Sequence, residues 1–236
     1  MRKDHRPYLL HRIQKRLIGW FVTHFLKPQL DSCGEGLEII GARWVSFSGP
    51  KIHLGQSVHL MALRDAPIRF GVFEGMGEIR IGDHALINPG VRIVSAESIT
   101  IGNDSMLAMH CHLSDADWHD VDHRIFAPGK TGPIKIGNNV WLGDGARVLK
   151  GVTIGDNTIV GAGSVVTKSL PADAIAAGNP AIVIGRLNAS DRTTRAALFN
   201  MAQPYEDFAE AFMQSRLAGN SFVGWLKSLL WPGRRD

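Results

Sequence analysis

The chain has 236 residues, of which 44% are hydrophobic, with a formal net charge of +4 and a pI near 9.3. This length and apolar content favour one substantial core with helical appendages over a second globular domain. The basic pI does not indicate a nucleic-acid-binding protein, because seven of the Lys and Arg residues lie in the first 27 and no recognised nucleic-acid module is present.

The first predicted element is a basic amphipathic helix within residues 8–26, in a segment 1–36 that precedes the core. Arg12, Lys15 and Arg16 lie on one side of it, and apolar residues recur at spacings of three and four on the other. These apolar residues are Leu9, Leu10, Ile13, Leu17, Trp20, Phe21 and Phe25. The pattern suits a helix in a membrane interface or one packed on the rest of the chain. Its apolar run is far shorter than the roughly 20 residues of a membrane span, and no A-x-A-type site marks a signal peptide.

Residues 37–186 carry a six-residue repeat, in which an aliphatic residue occupies every sixth position and Gly often follows it. The clearest repeat positions are Ile81, Ile87, Ile93, Ile101, Leu107, Leu113, Ile136, Leu142, Val148, Ile154, Val160 and Val166. A period of six fits neither an isolated amphipathic helix nor a hairpin, but it fits a parallel β-helix. We therefore expect an all-β core of stacked coils, since one coil cannot bury its own inner face.

The repeat stops after Leu113 and resumes at Ile134, which predicts a projecting loop at 114–133. The loop holds two His, four Asp and a Trp, and loops on rigid scaffolds often carry the chemistry of a protein. Its histidines, His119 and His123, are candidate general bases because imidazole can take a proton near neutral pH. Three aspartates of the loop are candidates to orient such a base, and the sequence does not choose among them: Asp117, Asp120 and Asp122.

Residues 187–236 are predicted to form a helical extension, with helical spacing up to Leu217 and a last short helix capped by Ser221. Helices at this position can cap the open end of a β-helix, pack in an oligomer or contact a membrane. The two cysteines, Cys33 and Cys111, are too few and too far apart for a disulfide framework, so a reducing cytoplasm is the expected location.

Five motifs in order carry a family resemblance: INPGVRIV (87–94), IGNDSMLAMHCHLS (101–114), PIKIGNNVWLG (133–143), VGAGSVVTK (160–168) and AAGNP (176–180). With the His-bearing loop between two coils, residues 75–185 resemble the hexapeptide-repeat acyltransferases, particularly the galactoside and maltose O-acetyltransferase group. The resemblance implies a left-handed parallel β-helix, acetyl-CoA as co-substrate, and a homotrimer with active sites between neighbouring subunits.

The resemblance also implies roles for single residues. The catalytic base falls on His119, and Asn88 lies where the family has an Asn beside the reacting groups. The expected acceptor contacts are Asp117, Trp118, Asp122 and His123. The expected acetyl-CoA contacts are Trp141, Gly143, Ala162, Thr167 and Lys168. The chain departs from the family where an Arg often follows the AAGNP-like turn, because it has Ile182 there and reaches Arg only at Arg186.

Together these features predict an O-acetyltransferase that acts on a sugar or lipid-linked sugar in surface polysaccharide or lipopolysaccharide synthesis, at the inner face of the membrane. No metal and no nucleic acid are expected to bind. Two alternatives stay open. One is a metalloenzyme like the γ-type carbonic anhydrases, although His110 and His112 are more typical of a surface row on either side of an inward Cys111, and GDGAR (143–147) departs from that family's motif. The other is a non-catalytic scaffold.

Overall fold

The computed structural model describes residues 4–188, 193–199 and 205–231. They form two compact units: a β-helix within residues 24–196, and a helical unit made from residues 1–23 and 197–236. In chain order and coil by coil, the strands are β1 (Ser32–Cys33), β2 (Glu38–Ile40), β3 (Val45–Ser48); β4 (Ile52–Leu54), β5 (His59–Met61), β6 (Ile68–Val72); β7 (Ile79–Ile81), β8 (Leu86–Ile87), β9 (Arg92–Ser95); β10 (Ile99–Ile101), β11 (Met106–Leu107), β12 (His112–Ser114); β13 (Ile134–Ile136), β14 (Trp141–Leu142), β15 (Arg147–Leu149); β16 (Thr153–Ile154), β17 (Ile159–Val160), β18 (Val165–Val166); β19 (Ala174–Gly178) and β20 (Ala181–Arg186).

Each strand from β1 to β15 pairs in parallel with the strand three places later in the chain. The coils therefore stack into three sheets, which form the faces of a prism. Sheet A contains β1, β4, β7, β10, β13 and β16; sheet B contains β2, β5, β8, β11, β14, β17 and β19; sheet C contains β3, β6, β9, β12, β15 and β18. The antiparallel strand β20 closes sheet B by pairing with β19. The fold is a left-handed parallel β-helix with helical extensions, as the sequence predicts.

The repeat positions that the sequence predicts to point inward are all buried. They include Ile87, Ile93, Leu107, Leu113 and Leu142, each with no exposed surface. Each aliphatic residue stacks on its equivalent in the next coil, as Leu113 does on Ile93 and Val148. Burying such a side chain contributes roughly 1.5–3 kcal/mol, so the repeat itself supplies the core.

The corners of the prism take residues that tolerate a left-handed backbone. Asp104, Asn139 and Asn157 occupy the same corner on successive coils with φ of 61°, 52° and 60°. This corner lies between sheets A and B, and apart from Gly, Asn and Asp are the residues that adopt such a conformation at the least cost. Between sheets B and C, Gly90 has φ of 79°, and a Cβ on it would lie 2.2 Å from Nδ1 of His110 on the next coil.

The first strand, β1, lies ahead of residue 37, where the repeat becomes readable in the sequence. Ser32 and Cys33 pair with His53 and Leu54 of β4, so they form part of a first coil. This strand of the coil escapes detection because Cys33 takes the inward position that Leu54 occupies one coil later, so the aliphatic residue of the motif is missing. The predicted loop is present: residues 115–133 leave the prism between β12 and β13.

The helical unit contains α1 (Tyr8–Phe21), all but the first residue of α2 (Ala196–Phe199), α3 (Tyr205–Leu217) and α4 (Phe222–Leu230). A π-helical turn (Val22–Leu26) and a 3-10 turn (Lys27–Gln29) continue α1. Lys15 of α1 pairs with Glu210 of α3 at 2.8 Å, and Ser221 caps α4 as predicted by accepting from the Gly224 N–H. Among the described helices, none is long and apolar enough to span a membrane.

Candidate active site

A buried carboxylate fixes the base of the projecting loop. Asp115 directly follows β12 and has no exposed surface. Its two oxygens accept hydrogen bonds from Ser95 Oγ at 2.7 Å, from the Ala96 N–H at 2.7 Å and from the Glu97 N–H at 3.0 Å. These three donors lie one coil earlier, at the last residue of β9 and the two residues that follow it. Asp115 was not among the residues predicted from the sequence, although its place two residues after the inward Leu113, where a second inward side chain is expected, is a usable signal.

The two ends of the loop run side by side as a short finger. The Asp117 N–H donates to the Lys130 carbonyl at 2.9 Å, and the Gly129 N–H donates to the Asp117 carbonyl at 2.6 Å. The Asp117 carboxylate also accepts from Lys150 Nζ at 2.6 Å, which joins the finger to the coil that follows it. The predicted acceptor contact Asp117 is thus engaged in holding the loop.

Trp118 also packs on the scaffold. Its indole Nε1 donates to Ser114 Oγ at 3.0 Å, and its ring lies 5.8 Å from the ring of Phe73. The side chain is half-buried as a result. The position therefore fixes the backbone directly before His119.

His119 itself is exposed, and its ring makes no hydrogen bond with any residue that the structure describes. The residue after it, Asp120, accepts from the N–H groups of Asp122 and His123 at 2.9 and 2.7 Å and so closes a tight turn. Because anchored residues lie on both sides of it, the imidazole is presented to solvent from a constrained backbone. His123 is also exposed, with its ring edge-on to Phe126 at 6.3 Å.

Close packing beneath His119 requires a glycine. A Cβ on Gly129 would lie 2.4 Å from the His119 carbonyl oxygen and 3.1 Å from the Asp120 nitrogen. A contact of that length is shorter than any real Cβ contact, so only Gly fits while the finger keeps this shape. Gly129 is a further positioning residue that the sequence analysis did not identify.

Asn88, which the resemblance places beside the reacting groups, lies at a different edge of the prism from the loop. It follows β8 and precedes β9, at the edge between sheets B and C, whereas the loop leaves at the edge between sheets C and A. Asn88 Nδ2 donates to the Leu107 carbonyl at 2.9 Å, which fixes the orientation of its amide. A primary amide has two N–H donors, so the second stays available to a ligand.

The predicted acetyl-CoA contacts divide between the same two edges. Gly143 and Ala162 occupy the edge of Asn88 on later coils, and Thr167 and Lys168 follow β18 at the edge of the loop. Trp141 lies on the outer face of sheet B and lines a cavity of about 260 Å³ with Met106, Ile159, Leu187 and others. Within one chain, the structure does not bring the two sets of predicted site residues together.

Cys111 is buried in the prism and points inward, as predicted. Its thiol approaches the Gly143 carbonyl at 3.2 Å, and burial raises the pKa of the thiol to about 12. A thiol this weakly acidic is not a useful nucleophile near neutral pH. In the described ranges, no three His, Cys, Asp or Glu side chains form a group that could hold a metal ion within one chain.

Comparison with known proteins places these features in a class. The family model described as bacterial transferase hexapeptide (six repeats) matches residues 133–168. Galactoside O-acetyltransferase of Escherichia coli K12 is 41% identical over 116 residues, which cover 48% of this chain and 57% of that protein. A putative colanic acid biosynthesis acetyltransferase of the same organism is 41% identical over 107 residues, covering 45% of this chain and 58% of the relative.

The match to these curated relatives therefore spans less than two thirds of their length. Among solved structures, a hexapeptide-repeat acetyltransferase from Vibrio cholerae in complex with acetyl-CoA is 25% identical, with a TM-score of 0.50 over 69% of this chain and 74% of that one. The chain is a hexapeptide-repeat β-helix protein. The resemblance to the hexapeptide-repeat acyltransferases that its motifs indicate is confirmed.

Proposed function

We propose that this protein transfers an acetyl group from acetyl-CoA to a hydroxyl of a sugar, with His119 as the general base. The observation that carries the proposal is the exposed imidazole of His119 on a constrained loop. On one side Trp118 is hydrogen-bonded to the scaffold, and on the other Asp120 closes a tight turn. Support also comes from relatives named acetyltransferases and from the similar fold solved with acetyl-CoA.

In the proposed reaction, a ring nitrogen of His119 accepts the proton of the sugar hydroxyl as its oxygen attacks the thioester carbonyl. The amide of Asn88 donates its second N–H to the oxyanion that forms. The C–S bond then breaks, the C=O bond re-forms, and the sulfur leaves as coenzyme A with the proton returned by the imidazolium. No acyl-enzyme forms, which agrees with the high pKa of the buried Cys111 thiol.

We place this reaction between neighbouring copies in a homotrimer. The support is geometric: His119 and Asn88 lie at different edges of one prism, so the loop of one copy has to approach the edge of another to complete the site. The cation Lys168 and the hydroxyl of Thr167, both exposed, are suited to the phosphates of the donor.

The acceptor proposed here is a sugar, free or lipid-linked, of a surface polysaccharide or lipopolysaccharide, reached from the cytoplasmic face of the membrane. One support is the relative named as a putative colanic acid biosynthesis acetyltransferase. Another is α1, whose exposed apolar side chains form one stripe: Leu9, Ile13, Leu17 and Trp20. By helical spacing Arg12 and Arg16 border the stripe, which is the arrangement of a helix that lies in an anionic lipid surface; they also line a cavity with Asp207 and Glu210 of α3.

The experiment is to measure thiol release from acetyl-CoA with a panel of sugars, for the unchanged chain, for His119→Ala and for the matched control His123→Ala. We expect acceptor-dependent release that falls by about 10²-fold or more in His119→Ala and by less than about tenfold in the control. Release that survives His119→Ala would contradict the assignment of the base. Sedimentation with phosphatidylglycerol vesicles, compared between the unchanged chain and Ile13→Gln, tests the membrane contact separately.

A further inference from the structure

The last helix, α4, exposes an apolar face to solvent. Five residues at helical spacing form this surface, which we call the α4 face, and each of them is more than half exposed: Phe222, Val223, Leu226, Leu229 and Leu230. Trp231, directly after the helix, is also exposed. Contiguous exposed apolar surfaces are uncommon on soluble proteins and mark sites of interaction. The α4 face is therefore a candidate docking surface.

Other features of α4 suit a helix that lies flat in a membrane interface. Its nine residues give a length of about 14 Å, far short of the roughly 20 residues that a span needs. By helical spacing Lys227 lies on the polar side, and its long apolar stem lets the ammonium group reach water. The Ser228 hydroxyl donates to the Trp225 carbonyl at 2.7 Å, so it is satisfied within the helix. Trp225 and Trp231 are of the residue type that prefers the boundary between lipid and water.

The net positive charge of the chain lies in the helical unit. Residues 1–23 and 197–236 have ten Lys and Arg against five Asp and Glu, whereas the rest of the chain has 16 against 17. After Glu210 the sequence has four cations and no acidic residue before the final Asp236. A second copy would bring either an equally basic helical unit or a nearly neutral β-helix to the α4 face. An anionic lipid surface is therefore the partner that the charge favours.

The start of α4 is held against the residues that precede α1. Asn220 Nδ2 donates to the Asp4 carbonyl at 2.7 Å and to the Arg6 carbonyl at 3.0 Å. The two helices with exposed apolar faces therefore begin at one place in the same unit.

We infer that the α4 face inserts into the headgroup region of an anionic membrane, as a second docking element beside α1. The binding strength of such elements grows with the buried apolar area and with the attraction of cations to anionic lipid, and α4 adds to both. The inference rests on the proposed function only through the membrane contact of α1, which it extends, and it is independent of the chemistry of His119.

The experiment is sedimentation of the full chain with vesicles of phosphatidylcholine alone or mixed in equal parts with phosphatidylglycerol. The unchanged chain is compared with the double variant Leu226→Gln, Leu229→Gln. The matched control is the double variant Ile182→Gln, Ile184→Gln, which removes two aliphatic side chains of similar exposure from β20 in the β-helix unit.

We expect the α4 variant to bind the mixed vesicles about tenfold or more weakly than the unchanged chain, because burying even one Leu changes an equilibrium by about that factor. The control should stay within about twofold. Phosphatidylcholine alone should bind the unchanged chain at least about tenfold more weakly than the mixture, because it carries no net charge. Far-UV circular dichroism of both double variants checks that they fold.

Four results would overturn the inference. The first is equal binding of the α4 variant and the control; if Ile13→Gln still weakens binding, the contact of α1 stands alone. The second is equal binding to the two kinds of vesicle. The third is an α4 variant that loses its oligomeric state by light scattering without vesicles, because the α4 face would then be a contact between copies. The last is an unchanged chain that stays in the supernatant, which would contradict both membrane contacts. Thiol release with a free sugar reports on acetyl transfer independently of all four.

Discussion

Substituting Gly129 by alanine tests whether the shape of the loop finger positions His119. The added Cβ would lie 2.4 Å from the His119 carbonyl oxygen, and at least 3.0 Å is needed, so the two backbones must separate by about 0.6 Å or more. The obstacle is backbone rather than a flexible side chain, so the shift passes directly to the base. Misplacement of a catalytic group by about 1 Å can reduce turnover by about 10²-fold.

We therefore expect kcat for acetyl transfer to fall about 10- to 100-fold in Gly129→Ala, with little change in the affinity for acetyl-CoA measured by calorimetry. The control is Gly71→Ala on β6, where a Cβ meets only a side-chain atom at an ordinary 3.6 Å. The control should retain kcat within about twofold. A Gly129→Ala protein with unchanged kcat would refute the claim that this contact positions the base.

Three further substitutions test other parts of the account. Asp115→Ala leaves the buried N–H of Ala96 and that of Glu97 without their acceptor, which should cost about 1–3 kcal/mol for each unsatisfied group; the midpoint of urea unfolding should fall, and an unchanged midpoint would contradict the anchoring role. Asn88→Ala should lower kcat by about 10²- to 10³-fold without weakening acetyl-CoA binding, and an unchanged kcat would remove Asn88 from the oxyanion site. Cys111→Ala should leave activity intact from pH 6 to 9, because a pKa of about 12 keeps the thiol neutral throughout that range; a loss greater than about tenfold would contradict direct transfer.

Much of the fold could be predicted from the sequence because every coil obeys the same rule. Each aliphatic residue at a sixth position, such as Ile93 or Leu113, stacks on its equivalent in neighbouring coils, so the period alone identifies inward positions. The rule fails where the chain departs from it. Ser32 and Cys33 form a strand without an aliphatic residue, and only their pairing with β4 reveals this first strand of the first coil.

The site was less predictable because its anchors come from other coils. Asp115 binds Ser95, 20 residues earlier, and Asp117 binds Lys150, 33 residues later. Residues so far apart in sequence become neighbours only through the stacking of the coils. The sequence could nominate His119 from its motif, but it could not show that Trp118 supports the scaffold.

The central claim is that the site is completed between copies, and a mixing experiment tests it most directly. His119→Ala and Asn88→Ala chains, each expected to be nearly inactive alone, are coexpressed with different tags, and mixed oligomers are isolated by sequential purification through both tags. If His119 of one copy acts with Asn88 of its neighbour, one of the three contacts in every mixed trimer unites two intact residues, and acetyl transfer should return to about a third of the unchanged activity. Mixed oligomers as inactive as the two parents would contradict the account, because each site would then draw both residues from one chain.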